Sequence, residues 1–333
     1  MSKQLAITSG AVHKVGKKAY LTVGGVHRKI AKMYRTTNGI HQLCYKGGVD
    51  VATMVIGYSG NMIDDGVVTM SGKQYRLLTL TSSGTLTVDD EVNAEVWMCG
   101  GGTSGVASYS IEQSGGGAGA YTAQKTITLA GDMAAVIGAG GGAAATSALY
   151  SPGYNKGGAS SFGGVSTSTA FSVSSQRQGG VSGGTGGGEN VRGAGATGDG
   201  VTKYPFGDSS YFAHPHCAGG GSGAMYYDDK NINSTIKYYG GSGGTNGGNG
   251  AKGSTGNNTV GSGGNYGGGN GGSATGGRMA SVGADATYYG SGGGGGGGCI
   301  YITSSGSQTV GQKYGGAGYQ GVIYIRIPVE QSA

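Results

Sequence analysis

Histidine is scarce in this chain, and its spacing is regular. His13, His27 and His41 recur every 14 residues, and the other two stand together as His214-Pro215-His216. Imidazoles at equivalent positions of stacked hairpins could form a ladder that binds zinc or iron. The residue after each differs (Lys14, Arg28, Gln42), and no acidic or cysteine ligand keeps the same phase, so a structural or solvent-facing ladder is the competing reading. Around a three-fold axis, His214 and His216 of each chain would supply enough nitrogens for one octahedral ion. Pro215 between them and Cys217 beside them make that ligand set irregular. No cofactor is expected.

Tyrosine is the other patterned residue, 22 against four phenylalanines and one tryptophan. It occurs in pairs between glycine clusters, as Tyr226-Tyr227, Tyr238-Tyr239 and Tyr288-Tyr289, and in the glycine-poor insertion carrying Tyr204, Phe206, Tyr211 and Phe212. A ring with a polar tip covers a partner surface at small entropic cost and stacks on a sugar face. The same rings could equally seal a glycine scaffold. Of these segments, 204–216 is the leading candidate for a recognition loop because it is long and poor in glycine.

Charge is concentrated at one end. The formal net charge is +6. Through residue 49 there are nine Lys and Arg and no Asp or Glu, while the remainder carries 13 basic and 16 acidic residues. A basic head, with Lys14, Lys18, Arg28, Lys29, Lys32 and Arg35 as docking residues, is expected to meet an acidic partner. Those cations alternate with Tyr and Val in repeat phase, which suits a protein surface, and nucleic acid is not the expected partner. No enzyme is expected either. With 68 of the 80 glycines from residue 100 onward, glycine-spaced motifs such as Gly180-Val181-Ser182-Gly183-Gly184 arise by chance. The pairs Asp64-Asp65, Asp89-Asp90 and Asp228-Asp229 sit in turn-like contexts and read as solvated turn residues. Cys44, Cys99, Cys217 and Cys299 are scattered and read as free, small apolar residues.

The elements that would position these residues are β-structured. The 14-residue repeat suits a strand-and-turn unit with turns at Gly24-Gly25 and Asn38-Gly39. Strands are expected over 75–81, 85–88, 94–99, 125–129, 134–137, 299–303 and 322–329, with turns at Asp89-Asp90-Glu91 and Ala130-Gly131-Asp132. Three regions follow: 1–49 a basic docking repeat, 50–74 a connector, and 75–333 a glycine-rich distal domain. The opening Met1-Ser2-Lys3-Gln4-Leu5 has no long apolar stretch, so neither signal peptide nor membrane insertion is expected.

Glycine loses more backbone entropy on folding than any other residue, so this tract orders only if its hydrogen bonds are satisfied densely. Collagen is excluded: the every-third-residue glycine register is missing and there are four prolines. Extended segments of three residues per turn, packed side by side as polyglycine II, would satisfy the backbone, because chains without Cβ approach closely. The expected fold class is therefore all-β, a short N-terminal β repeat followed by β-strands and polyglycine-II-like segments.

An ordered series of short motifs runs through 75–330: Tyr75 to Val88, Val96-Trp97-Met98-Cys99-Gly100-Gly101-Gly102, Val136 to Gly141, Ser160-Ser161-Phe162-Gly163, and Gly321-Val322-Ile323-Tyr324-Ile325-Arg326. The series resembles the glycine-rich domain of bacteriophage and prophage tail fibres and receptor-binding tail proteins. The basic repeat resembles the start of some prophage tail proteins, with histidine where that pattern more often has alanine. The resemblance implies a virion tail protein made in the host cytoplasm. Its N-terminus would dock on other tail proteins, and its body would meet a host glycan or outer surface protein. A homotrimer is compatible with it. The alternative is a purely architectural baseplate, tail-tip or decoration protein.

Overall fold

The computed structural model describes residues 19–23, 26–30, 32–37, 40–46, 49–107, 116–144, 155–167, 203–221, 223–230, 234–238, 267–275 and 279–329. Before residue 47 it describes the backbone of four strands. β1 (Ala19–Val23) pairs antiparallel with β2 (Val26–Ile30), and β3 (Lys32–Thr37) with β4 (Ile40–Lys46). Each hairpin leaves two residues between its strands, Gly24-Gly25 and Asn38-Gly39, the length and residue types that favour tight hairpin turns. The repeat is carried into the register: Thr22 pairs with His27 and Thr36 with His41.

The body begins with an eight-stranded sheet. In chain order its strands are β5 (Ile56–Tyr58), β6 (Met62–Met70), β7 (Lys73–Leu80), β8 (Gly84–Cys99), β9 (Thr122–Val136), β10 (Ser161–Phe162) and β11 (Val165–Ser166), and it includes the C-terminal strand Val322–Pro328. That last strand lies between β7 and β8, and β5 adds to β8 outside the main order. Residues 50–74, expected as a connector, thus contribute two strands to the sheet. Alternating apolar residues place Leu78, Leu80, Leu86, Val96, Met98, Leu129, Ile323 and Ile325 in one core with Phe162, Val51 and Met54. Each such side chain stabilises the sheet by about 1.5–3 kcal/mol.

Two expected turns are absent. β8 runs unbroken through Asp89-Asp90-Glu91 and β9 through Ala130-Gly131-Asp132. The register between the two strands shifts between Val88 and Val92, a bulge that absorbs the polar residues while pairing continues on both sides. Asp64-Asp65-Gly66 is likewise a bulge within β6, and Asp228 and Asp229 lie in a strand.

From the sheet edge at Cys99, Val322 and Thr122 the described residues continue into nine extended segments: 100–107, 116–121, 138–144, 155–160, 217–224 (apart from 222), 267–273, 281–287, 290–297 and 315–321. Their hydrogen bonds have period three. The N–H groups of Gly292, Gly295 and Gly298 donate to Ala218, Gly221 and Ala224; those of Gly293 and Gly296 to Thr103 and Val106; those of Gly294 and Gly297 to Ala284 and Ser281. The carbonyls of 290–295 accept from Gly269 and Gly272, from Gly117 and Ala120, and from Gly316. Segment 290–297 therefore has six neighbours, three that accept from it and three that donate to it. Three residues per turn with bonds between chains is the polyglycine-II arrangement expected from composition. A Cβ on Gly292, Gly293, Gly294, Gly296 or Gly297 would overlap a neighbouring carbonyl oxygen, so glycine is required along this central segment.

Beyond the segments, five chain stretches form short strands: β12 (Met225–Asp229), β13 (Ser234–Tyr238), β14 (Ala274–Thr275), β15 (Met279–Ala280), β16 (Gly298–Ile302), together with β17 (Gln308–Gln312). β13, β12, β16 and β17 make a four-stranded sheet, and the C-terminal strand of the base sheet is β18. The described residues contain no α-helix and one 3-10 turn, Pro205–Gly207.

Candidate functional site

The family-like motifs converge where sheet becomes bundle. Ser160 Oγ donates to the Cys99 carbonyl (2.7 Å) and accepts from Gly138 N–H (2.9 Å), while Gly321 N–H donates to the Gly138 carbonyl (2.8 Å). Ser160, Gly138 and Gly321 thus join three chain passes in one buried hydrogen-bond network around the end of β8, and Phe162 beside them fills the core. These motifs build the scaffold.

The 204–216 insertion folds back onto the second face of the base sheet. Phe212 is buried in a cluster with Met70, Tyr75, Leu77, Trp97, Cys217 and Tyr324, and Tyr204, Phe206 and Tyr211 pack partly against it. The Arg326 guanidinium carbon lies 4.4 Å from the Phe206 ring centre and 4.6 Å from that of Tyr75. Arg326 Nη2 also reaches Glu95 Oε2 at 2.8 Å. Asp208 organises the turn: it accepts from Ser210, from Tyr211 N–H and from Ser71 Oγ at 2.8 Å. Those bonds, the Ser210 hydroxyl foremost, hold its carboxyl below the usual range despite burial. The insertion expected as a recognition loop is in this respect a cover for the sheet.

His216 is fully buried in that cover. Its Nε2 pairs with the Tyr324 hydroxyl at 2.9 Å, and rings of Tyr288 (4.9 Å), Trp97 (5.3 Å) and Tyr289 (5.8 Å, stacked) surround it. Burial pulls its pKa down to about 3 and pushes that of Tyr324 up. His214 is exposed, its ring 5.8 Å from Tyr288. The two histidines expected as a metal pair thus occupy different environments. Among the described residues, no three or more His, Cys, Asp and Glu gather in metal-binding geometry.

The remaining tyrosines divide. Tyr226 is buried, its hydroxyl directed to Asp228, which pairs with Lys230 at 3.0 Å. Tyr227 lies on β12 and Tyr238 on β13, described at the backbone, and Tyr239 lies outside the described residues. Tyr288 and Tyr289 are half-buried, and Tyr289 meets the more exposed Tyr319 edge-on at 5.7 Å. Of the docking residues, Lys14 and Lys18 lie outside the described residues, as does His13. Arg28 and Lys29 are on β2, and Lys32 and Arg35 on β3. Lys32 pairs with Lys46.

The bundle also has a far end, remote from the base sheet. There the turn 303–307 joins β16 to β17, and Ser304, Ser305 and Ser307 are exposed. Thr303 closes that last turn by accepting from Gly306 and donating to Ser307. Ser304-Ser305-Gly306 is a turn signal that resembles many others in a chain so rich in serine and glycine. A family model for a glycine-rich domain matches residues 80–328. No curated protein matches the chain.

Proposed function

The chain belongs to the glycine-rich domain family, and we propose that it is a phage tail protein whose bundle presents its far-end turns to a host-cell surface while its N-terminal hairpins dock on the virion. The observation that carries this reading is the opposition of two ends. Residues 49–54 enter at the sheet end remote from the bundle: Arg76 Nη1 holds the carbonyls of Val51 (3.1 Å) and Met54 (2.6 Å), and Arg76 pairs with Ile327, near the end of β18. The bundle departs from the other end of β18, at Val322. The described chain thus enters the sheet at residues 49–54 on one side, and the 303–307 turn lies beyond the bundle on the other, an arrangement that supports a docked spike.

Rigidity of the glycine segments supports the same reading, since turns held by a fixed scaffold bind without a large ordering cost. The exposed turn residues are polar and suit a hydrated glycan or the polar surface of a protein. Purified full-length chain added to host cells is expected to bind saturably and to compete with virion adsorption. Replacing Ser304, Ser305 and Ser307 with bulky residues should abolish that binding while leaving the thermal transition intact. Virions that adsorb normally without the chain would overturn the proposal and favour a purely architectural role.

A further inference from the structure

We infer that Cys99 and Cys217 are a disulfide-forming pair that staples the glycine bundle to the base sheet. Cys99 ends β8 and Cys217 opens segment 217–224; both are completely buried, and both thiols are free in this structure. A Cβ placed on Gly290 would lie 2.9 Å from the Cys217 sulfur and 3.0 Å from the Cys99 sulfur, so the two share one space beside Gly290.

Two backbone features indicate that the side chains, and not merely their bulk, are used. Cys217 has φ 64, a left-handed conformation that costs an L residue with a Cβ about 1 kcal/mol or more. A chain with 80 glycines places cysteine at this glycine-favouring position. Gly290, at φ 69, lacks the Cβ that would fill the space between the sulfurs. The two left-handed positions, one strained and one glycine, meet at the thiol pair.

The reaction is thiol–disulfide exchange with a small-molecule disulfide such as oxidised glutathione. One thiolate attacks it, forming a mixed disulfide and releasing one reduced thiol. The second thiolate attacks the protein sulfur of that mixed disulfide, forming the Cys99–Cys217 bond and releasing the other. The protein loses two electrons and two protons, and the oxidant gains both. Burial places this step during folding or a transient opening of the junction, before the bundle closes over the sulfurs.

The test is refolding of the full chain in a glutathione redox buffer. After denaturation in acid, free thiols should fall from four per chain to two, and proteolytic mapping should recover one linked peptide pair joining Cys99 to Cys217. The thermal midpoint should rise by several degrees and return on reduction; Cys99→Ser and Cys217→Ser should each remove that shift. A link through Cys44 or Cys299, a stable glutathione adduct, or four surviving thiols would overturn the inference. Mapping of the unsubstituted chain decides the matter even if a serine variant does not fold.

Discussion

At the scale of single residues, the glycines are not interchangeable. A Cβ on Gly294 would overlap the Asn270 carbonyl in the most enclosed segment, whereas a Cβ on Gly142 meets nothing within 4 Å. Gly294→Ala is therefore expected to abolish the cooperative thermal transition or lower its midpoint steeply. Gly142→Ala should leave it unchanged or raise stability by about 0.4–1 kcal/mol through the unfolded chain's lost freedom. His216 makes a second residue-scale prediction. Its folded pKa is about 3, below the value of about 6.5 for an exposed histidine, so between those limits the unfolded chain binds a proton that the folded chain excludes. Stability from this group is complete above pH 6.5 and falls as pH drops through the window, by up to about 1.4 kcal/mol per pH unit. Urea unfolding at pH 7.5, 6.5 and 5.5 should show the unsubstituted chain losing stability faster than His216→Gln. Parallel curves would refute the assignment. None of this selectivity was legible in the sequence: Gly142 and Gly294 both lie in glycine clusters, and His216 looks like His214 until the fold buries one of them.

Elements were legible where chemistry is local and obscure where the partner is distant. The alternation of Leu78, Leu80, Leu86 and Val88 announces half-buried strands, and they are core residues. Asp89-Asp90-Glu91 announces a turn, but β9 supplies the pairing that carries the strand through as a bulge. Local polarity cannot distinguish those outcomes because both leave the side chains near water. The polyglycine-II expectation followed from the need to satisfy a backbone without side chains. Its six-neighbour geometry depends on segments spread from residue 100 to 321 and could not be read from spacing. An element-scale experiment separates this bundle from a glycine linker. The amides of Gly292 through Gly298 all donate to backbone carbonyls, so their hydrogen exchange should approach the limit set by global unfolding. Exchange of these amides at the rate of an unstructured peptide would refute the packed arrangement.

At the scale of the whole molecule, the base sheet converts one chain entry into a polarised spike. From the Arg76 contacts at 51–54 to the beginning of the bundle is most of the length of β18, seven residues, or roughly 20 Å at 3.3 Å per residue. The central segment from 290 to 297 then adds roughly 25 Å at 3.1 Å per residue. The exposed Ser305 turn and the exposed Lys73 turn between β6 and β7 therefore stand at opposite ends of the body. This separation gives a positional test of the proposed function that does not depend on knowing the receptor. A streptavidin-sized load attached at residue 305 of the full chain should block binding to host cells while leaving assembly into the virion unaffected. The same load at residue 73 should spare cell binding and obstruct assembly, because that turn lies at the sheet end where residues 49–54 enter. If loading at 305 leaves adsorption unchanged while loading at 73 abolishes it, the polarity is reversed and presentation of the bundle's far end to the cell is refuted.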